Sequence, residues 1–223
     1  MSARVAAAMP LLNLTTQYLA TSSHEIKLAQ TSLAHGGVGG VDLLLTQIIK
    51  HLGGKFISTV GTDEKAELSR KAGADDVFLY GEGVDITAKD KELTDGEGVD
   101  VAYDGVGKDT FDASLASIKP LGSMVLFGGA PGQVPPFNFQ RLNSSGVIFP
   151  SRPSLAWFVH NSEELAKRSA MLFNGIEHGW LNFCIGATFA LADGSDSHRA
   201  LKGRGTTGNG CAYGVIQREM RSH

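Results

Sequence analysis

Glycine is concentrated in the run Gly37-Val-Gly39-Gly-Val-Asp42, between the short apolar stretch Thr31 to His35 and a helix-patterned segment containing Leu43, Leu44, Leu45, Ile48 and Ile49. A glycine-rich turn placed between a strand and a helix can bind a pyrophosphate. The missing side chains let the backbone approach the phosphate oxygens, and the free N–H groups at the helix start supply donors and positive potential. The same spacing also fits a structural turn with no ligand. A second glycine-rich turn, Gly128-Gly-Ala-Pro-Gly132, ends a later apolar run and favours the ligand-binding reading.

Asp42 stands where the dinucleotide pattern has its third glycine. A carboxylate in the first helical turn gains roughly 0.3–1 kcal/mol from the helix dipole. Facing a phosphate at about 5 Å and an effective dielectric near 20, it is repelled by on the order of 3 kcal/mol per charge pair. The repulsion is the larger effect, so Asp42 is expected to weaken dinucleotide binding.

Cofactor choice is written at the end of the next apolar run. A site for NAD places an acid about 20 residues after the turn, where it bonds the ribose 2′-hydroxyl. Here the stretch reads Ser58-Thr-Val-Gly-Thr62, without an acid. Lys65 can meet a 2′-phosphate as a point charge, or it can simply be a solvated surface lysine; Asp63 and Glu64 beside it count against phosphate. The balance favours NADPH over NADH. Metal chemistry has no support in the pattern, because His35, His160, His178 and His198 lack ligand spacing. His35, at a strand end, reads as a packed core histidine, and no residue is assigned as a general acid.

The elements that must position these residues alternate. Strands are expected at Thr31–His35, Lys55–Val60, Asp76–Tyr80, Val99–Asp104 and Ser123–Phe127, with a sixth at Gly146–Phe149. Helices are expected through Leu43 to Ile49, stopped by Gly53-Gly54, and over Asp63–Ala72, Asp85–Glu92, Lys108–Ile118 and Ser162–Gly179. Ser162 is the expected cap of the last, with Glu163 and Glu164 in its first turn. Leu11 to Ala20 also has helix-like spacing. This order predicts a doubly wound, Rossmann-like parallel sheet in a three-layer α/β/α fold.

The bulk composition is that of an ordinary globular protein: 223 residues, 42% hydrophobic, 19% charged, with a net charge of −3. The charge gives no global field for nucleic acid or an anionic membrane. Cys184 and Cys211 lie far apart, which argues against a disulfide framework and fits a cytoplasmic setting. No apolar run approaches the roughly 20 residues of a membrane span, and the Ala-rich start is too weakly apolar to read as a signal peptide.

Several further runs carry a resemblance. Thr31 to Gln47, Thr62-Asp-Glu-Lys-Ala66, Lys71-Ala-Gly-Ala-Asp75, Gly98-Val-Asp100, Tyr103 to Phe111, Arg152-Pro-Ser-Leu155 and Gly203-Arg-Gly-Thr-Thr-Gly208 follow one another in order. In this order they resemble the zeta-crystallin-like quinone oxidoreductases of the medium-chain dehydrogenase/reductase superfamily. The likeness runs from about Ala6 to Gly208 and implies zinc-independent hydride transfer from NADPH to a quinone or an α,β-unsaturated carbonyl.

Carried over by position, Gly39, Gly40 and Val41 hold the pyrophosphate. Gly61, Thr62, Lys65 and Tyr80 surround the adenosine ribose phosphate, and Gly107 and Lys108 flank the cofactor. Phe127, Gly128 and Gly129 line the nicotinamide end, with Thr15 on the same side and Arg204 reaching the phosphate. Tyr80 and Phe127 could equally be strand-end core aromatics.

In the family a GroES-like domain precedes this point. The resemblance therefore implies that residues 1–30 are a linker-helix region, 31–150 the dinucleotide-binding domain and 151–223 the segments completing the second half. The run Asn209 to Gln217 departs from the family pattern but could still pair as a strand. The family also pairs subunits through a sheet edge, here Gly146–Phe149, so the resemblance implies a homodimer, the alternative being a monomer whose edge the following loop protects. An NADPH-binding module, or a divergent fragment with little turnover, is the competing reading.

Overall fold

The computed structural model describes residues 10–36, 38–81, 83–129, 132–183, 185–190, 193–202 and 209–213. Helix α1 (Pro10–Tyr18) runs into a π-helical turn, Leu19–Ser23. The alternation then begins: β1 (Thr31–His35), α2 (Gly40–His51), β2 (Lys55–Val60), α3 (Asp63–Lys71), β3 (Asp76–Leu79), α4 (Ile86–Leu93), β4 (Val99–Asp104), α5 (Phe111–Ser117) and β5 (Ile118–Leu126). It continues through α6 (Gln140–Ser144), β6 (Phe149–Ser151), α7 (Leu155–Phe158) and α8 (Ser162–Glu177). A separate parallel pair, β7 (Ile185–Ala190) and β8 (Asn209–Tyr213), brackets α9 (Gly194–Lys202).

The main sheet has six parallel strands in the order β3-β2-β1-β4-β5-β6. The doubly wound expectation is met, and the chain reverses its direction of travel between β1 and β4. Strands covered on both faces read as unbroken apolar runs, and β2 is buried from Phe56 to Val60.

Period-two alternation sorts those strand residues into two cores. Ala34, Phe56, Val101, Tyr103 and Val125 face α1, α2 and α8 through Leu14, Tyr18, Leu45, Ile48 and Leu172. Leu33, Ile57, Ala102 and Met124 face the other way, toward Phe111, Leu115 and Ile148.

Helix α1 is tied to the sheet and to α8. The Tyr103 hydroxyl donates to the Leu19 carbonyl at 3.1 Å, and Tyr18 stacks on Phe158 with centroids 4.3 Å apart. Arg168 on α8 bonds Gln17 at 2.8 Å, Ser22 at 3.0 Å and Glu164 at 2.9 Å.

Several boundaries differ from those read in the sequence. The fifth strand starts at Ile118, because its N-terminal part pairs with Val99 through a register shift. The sixth lies at Phe149–Ser151, three residues later than expected at its start, since Gly146 and Val147 have positive φ and form the turn into it. The cap of α8 is Asn161, whose side chain accepts from the Glu164 N–H at 2.8 Å; Ser162 is the first helical residue. Both β7 and α9 lacked a clear signal in the sequence, whereas the possible strand at Asn209 forms as β8. Among the described residues no helix is long and apolar enough to cross a membrane.

Candidate functional site

All strands of the main sheet run parallel, so their C-terminal ends share one edge. The β1/β4 reversal leaves a crevice there, the usual ligand position in an open α/β sheet. The loops after β1, β2, β3, β4 and β5, with the first turns of the helices that follow β1 and β2, carry the residues singled out in the sequence except Thr15 and Arg204.

Gly39 caps α2 in an extended conformation, Gly40 is its first residue, and Val41 is half-buried against the core. Gly61 follows β2 directly. Tyr80 lies over this turn, its hydroxyl 3.2 Å from where a Cβ on Gly61 would stand. Thr62 caps α3 by accepting from the Lys65 N–H at 3.3 Å. Lys65 is half-buried and makes no ion pair among the described residues. Gly61, Thr62, Lys65 and Tyr80 therefore form one cluster at the ends of β2 and β3.

A second cluster joins the loops after β4 and β5. Gly128 sits so close to Gly105 that a Cβ on it would lie 1.9 Å from the Gly105 carbonyl oxygen, and a Cβ on Gly105 would meet the Phe127 ring at 2.8 Å. Gly107 has φ of +90° and lies against Gly129, while Lys108 is exposed beside Gly132. Thr15 is half-buried on α1, which packs against α2. Arg204 and Gly37 lie outside the described residues.

The bottom of the crevice holds a chain of polar groups that the sequence reading did not assign. Asp104, fully buried at the end of β4, accepts from the Val106 and Gly107 N–H groups at 2.9 and 2.8 Å. It also accepts from the hydroxyls of Thr110, 2.8 Å from both carboxylate oxygens, and Ser114, at 2.9 Å. Because Ser114 spends its proton on Asp104, its oxygen accepts from His35 Nε2 at 2.9 Å. His35 Nδ1 is then left to accept from Thr59 at 3.0 Å.

His35 is thus a neutral Nε2–H tautomer. Burial lowers its pKa and outweighs the opposing field of Asp104. It is a packed histidine, as expected, but one with a specific polar task. The only hint in the sequence is an Asp at a strand end followed by Gly-Val-Gly, because the partners come from β1, β2 and α5.

Asp42 differs most from its expectation. It is buried at 8% exposure, and burial pushes its carboxyl up to about 7, against the pull of the Gly39 and Asp42 amides. The group is therefore not a fully ionised carboxylate facing phosphate near neutral pH, and the repulsion worked out for unit charge is an upper bound. Among the described residues, no group of three or more His, Cys, Asp or Glu is placed to hold a metal.

The dinucleotide expectation fits this geometry. Gly39 and Gly40 start α2 at the crevice, the Gly105–Gly128 approach leaves no room for a Cβ, and Lys65, with no ion pair among the described residues, lies in the first turn of the helix that follows Gly61.

Comparison with known proteins agrees. A family model described as zinc-binding dehydrogenase matches residues 40–168, more than half of the chain. The chain is 39% identical to a quinone oxidoreductase of Pseudomonas aeruginosa over 204 residues, covering 92% of this chain and 62% of that protein. Among solved structures, a mycobacterial protein complexed with NADPH superposes with a TM-score of 0.91 at 44% identity, covering 95% of this chain and 66% of that one. Escherichia coli quinone oxidoreductase complexed with NADPH superposes with a TM-score of 0.90 at 37% identity, covering 95% and 65%. The chain thus spans a little under two thirds of the length of these relatives. On the matched sequence, the shared fold and the glycine turns at the sheet edge, it belongs to the zinc-binding dehydrogenase family, in the dinucleotide-binding half of the medium-chain dehydrogenase/reductase superfamily.

Proposed function

We propose that the chain binds NADPH across the C-terminal edge of its sheet and directs it to reduce a quinone or an α,β-unsaturated carbonyl. The observation that supports this most is the glycine turn into α2 beside the β1/β4 reversal, with Lys65 and Tyr80 at the neighbouring strand ends. When bound, the dinucleotide supplies a hydride. Gly39, Gly40 and Val41 offer backbone to the pyrophosphate, while Gly61, Thr62, Lys65 and Tyr80 hold the 2′-phosphate end. Gly107 and Lys108 flank the middle. Phe127, Gly128, Gly129 and Thr15 shape the nicotinamide end, with Arg204 as a further phosphate contact. The proposed reduction assigns no step to zinc, as in the zinc-independent relatives that the sequence resembles.

The reading also places the chain in the cytoplasm and pairs two copies through β6. At that edge Val147 and Phe149 are exposed at 48 and 57%, with Leu121 of the neighbouring β5 at 67%. An apolar open edge of this kind calls for cover.

NADPH oxidation followed with a panel of quinones, alongside nucleotide titrations, tests the reading. NADPH is expected to bind more tightly than NADH, and Lys65→Ala to weaken NADPH by about tenfold with little effect on NADH, the size of one partly exposed charge-assisted contact. Failure of either nucleotide to bind overturns it, whereas binding without quinone-dependent oxidation reduces it to a nucleotide-binding module.

A further inference from the structure

Asp42 occupies the third position of α2, counted from the Gly39 cap. An acid here can reach back to the N–H of the capping residue, a self-contained way to close a helix start. The geometry is consistent with that reach: Asp42 Oδ2 lies 2.7 Å from where a Cβ on Gly39 would stand, and the Gly39 and Asp42 amides act on the carboxyl. The carboxyl therefore sits among the N–H groups that a pyrophosphate would use. Capping leaves one thing unexplained, since the other oxygen, Oδ1, is buried with no hydrogen-bond partner among the described residues. A buried, unpartnered carboxylate oxygen is costly, and a protonated one is a donor lacking an acceptor.

We propose that Asp42 is a proton-bearing ligand of the dinucleotide: a pyrophosphate oxygen seated at the start of α2 accepts a hydrogen bond from the Asp42 carboxyl, so that nucleotide binding takes up one proton from solvent. The proton goes onto Oδ1, which is sealed from solvent in the free protein and meets the phosphate only when the side chain turns about its Cα–Cβ bond, and no covalent bond to the nucleotide changes. The inference rests on the dinucleotide-binding reading above and adds to it the protonation state that the site requires.

The surroundings favour the neutral form. The elements packed on α2 are α1, whose one titratable group is Tyr18, the π-helical turn, with none, β2, with Lys55 at its far end, α3, with Asp63, Glu64, Lys65, Glu67, Arg70 and Lys71, and the segment after α8, which meets Gln47 and His51 through Asn182 and Trp180. Asp104, at the end of β4, adds a negative field that opposes ionisation. His35, at the end of β1, is neutral and has both ring nitrogens committed to Thr59 and Ser114. With burial holding the carboxyl at about 7, protonation is accessible at neutral pH.

The test measures nucleotide dissociation constants at pH 6 and pH 8.5 for the wild type, Asp42→Asn and Asp42→Gly. Calorimetry in buffers of different ionisation enthalpy counts the protons. NADH is measured beside NADPH so that titration of the 2′-phosphate does not intrude. Linkage to one group titrating at about 7 weakens wild-type binding by about thirtyfold between these pH values, with nearly one proton taken up at the higher. Both variants are expected to lose that dependence, and Asp42→Asn, which retains a donor, to match the wild type at pH 6. Wild-type binding without proton uptake, or with the same pH dependence as Asp42→Asn, overturns the inference and leaves the dinucleotide site standing. So does binding by Asp42→Gly alone, which makes Asp42 a plug and not a ligand. If none of the three proteins binds either nucleotide, the underlying reading fails as well.

Discussion

Replacing Asp104 isolates the contribution of the polar chain beneath the crevice. The carboxylate is fully buried and receives four donors: two backbone amides and the Thr110 and Ser114 hydroxyls. Hydrogen bonds to a charged group contribute about 1.5–3 kcal/mol each, against about 0.5–1.5 for neutral pairs. Asn in its place keeps one oxygen for the Val106 and Gly107 amides and turns an NH2 toward the hydroxyls.

Ser114 can then accept from Asn and donate to His35 Nε2, provided that the ring moves its proton to Nδ1 and donates to Thr59. The chain survives in reverse, without charge assistance but also without a buried charge to desolvate. Asp104→Asn is therefore expected to cost about 2 kcal/mol. Asp104→Ala orphans the donors outright and is expected to cost more than about 4 kcal/mol. Urea unfolding at neutral pH measures both, and nitrogen NMR of His35 reports the tautomer, Nε2–H in the wild type and Nδ1–H in Asp104→Asn. Because Asp104 fixes the Gly105–Lys108 loop, nucleotide affinity falls in the same order. An alanine variant within about 1 kcal/mol of the wild type, or no worse than the asparagine, refutes the reasoning.

Asp90, fully buried on α4 and accepting from the Ser117 hydroxyl at 2.7 Å, is raised by burial to about 7 from the ordinary 3.8, with its other oxygen unpartnered among the described residues. Its folded form holds a proton more tightly than its unfolded form, so its stabilising effect is present below the unfolded value and is lost as pH rises through about 7. The stability difference between Asp90→Asn and the wild type is therefore expected to shift in favour of the variant across that window, by up to about 4 kcal/mol at pH 8; a pH-independent difference rules this out. At the sheet edge, Phe149→Glu is expected to convert a dimer to a monomer in analytical ultracentrifugation. An unchanged mass for wild type and variant contradicts pairing through β6.

The sequence by itself determined the central architecture. Apolar runs bounded by glycine and spaced by amphipathic stretches specify β1, β2 and β4 to the residue, because a strand buried on both faces has few polar interruptions. It also specified the two glycine turns and the absence of an acid between Ser58 and Thr62, at the end of β2. These are local facts: a tight turn or a close backbone approach needs glycine wherever the rest of the chain lies.

Elements held by weaker local signals were less legible. The β6 boundary depends on positive-φ residues at 146 and 147 and on pairing with β5, and β7 with α9 lacks a comparable pattern. Tertiary structure alone decided the state of the polar groups. Whether Asp42 is a charge or an acid depends on burial and on Asp104, 62 positions away in the chain. The His35 tautomer depends on Ser114, 79 positions away. Neither quantity is a property of neighbouring residues, because desolvation and hydrogen-bond direction are set by whatever the fold places within a few ångströms.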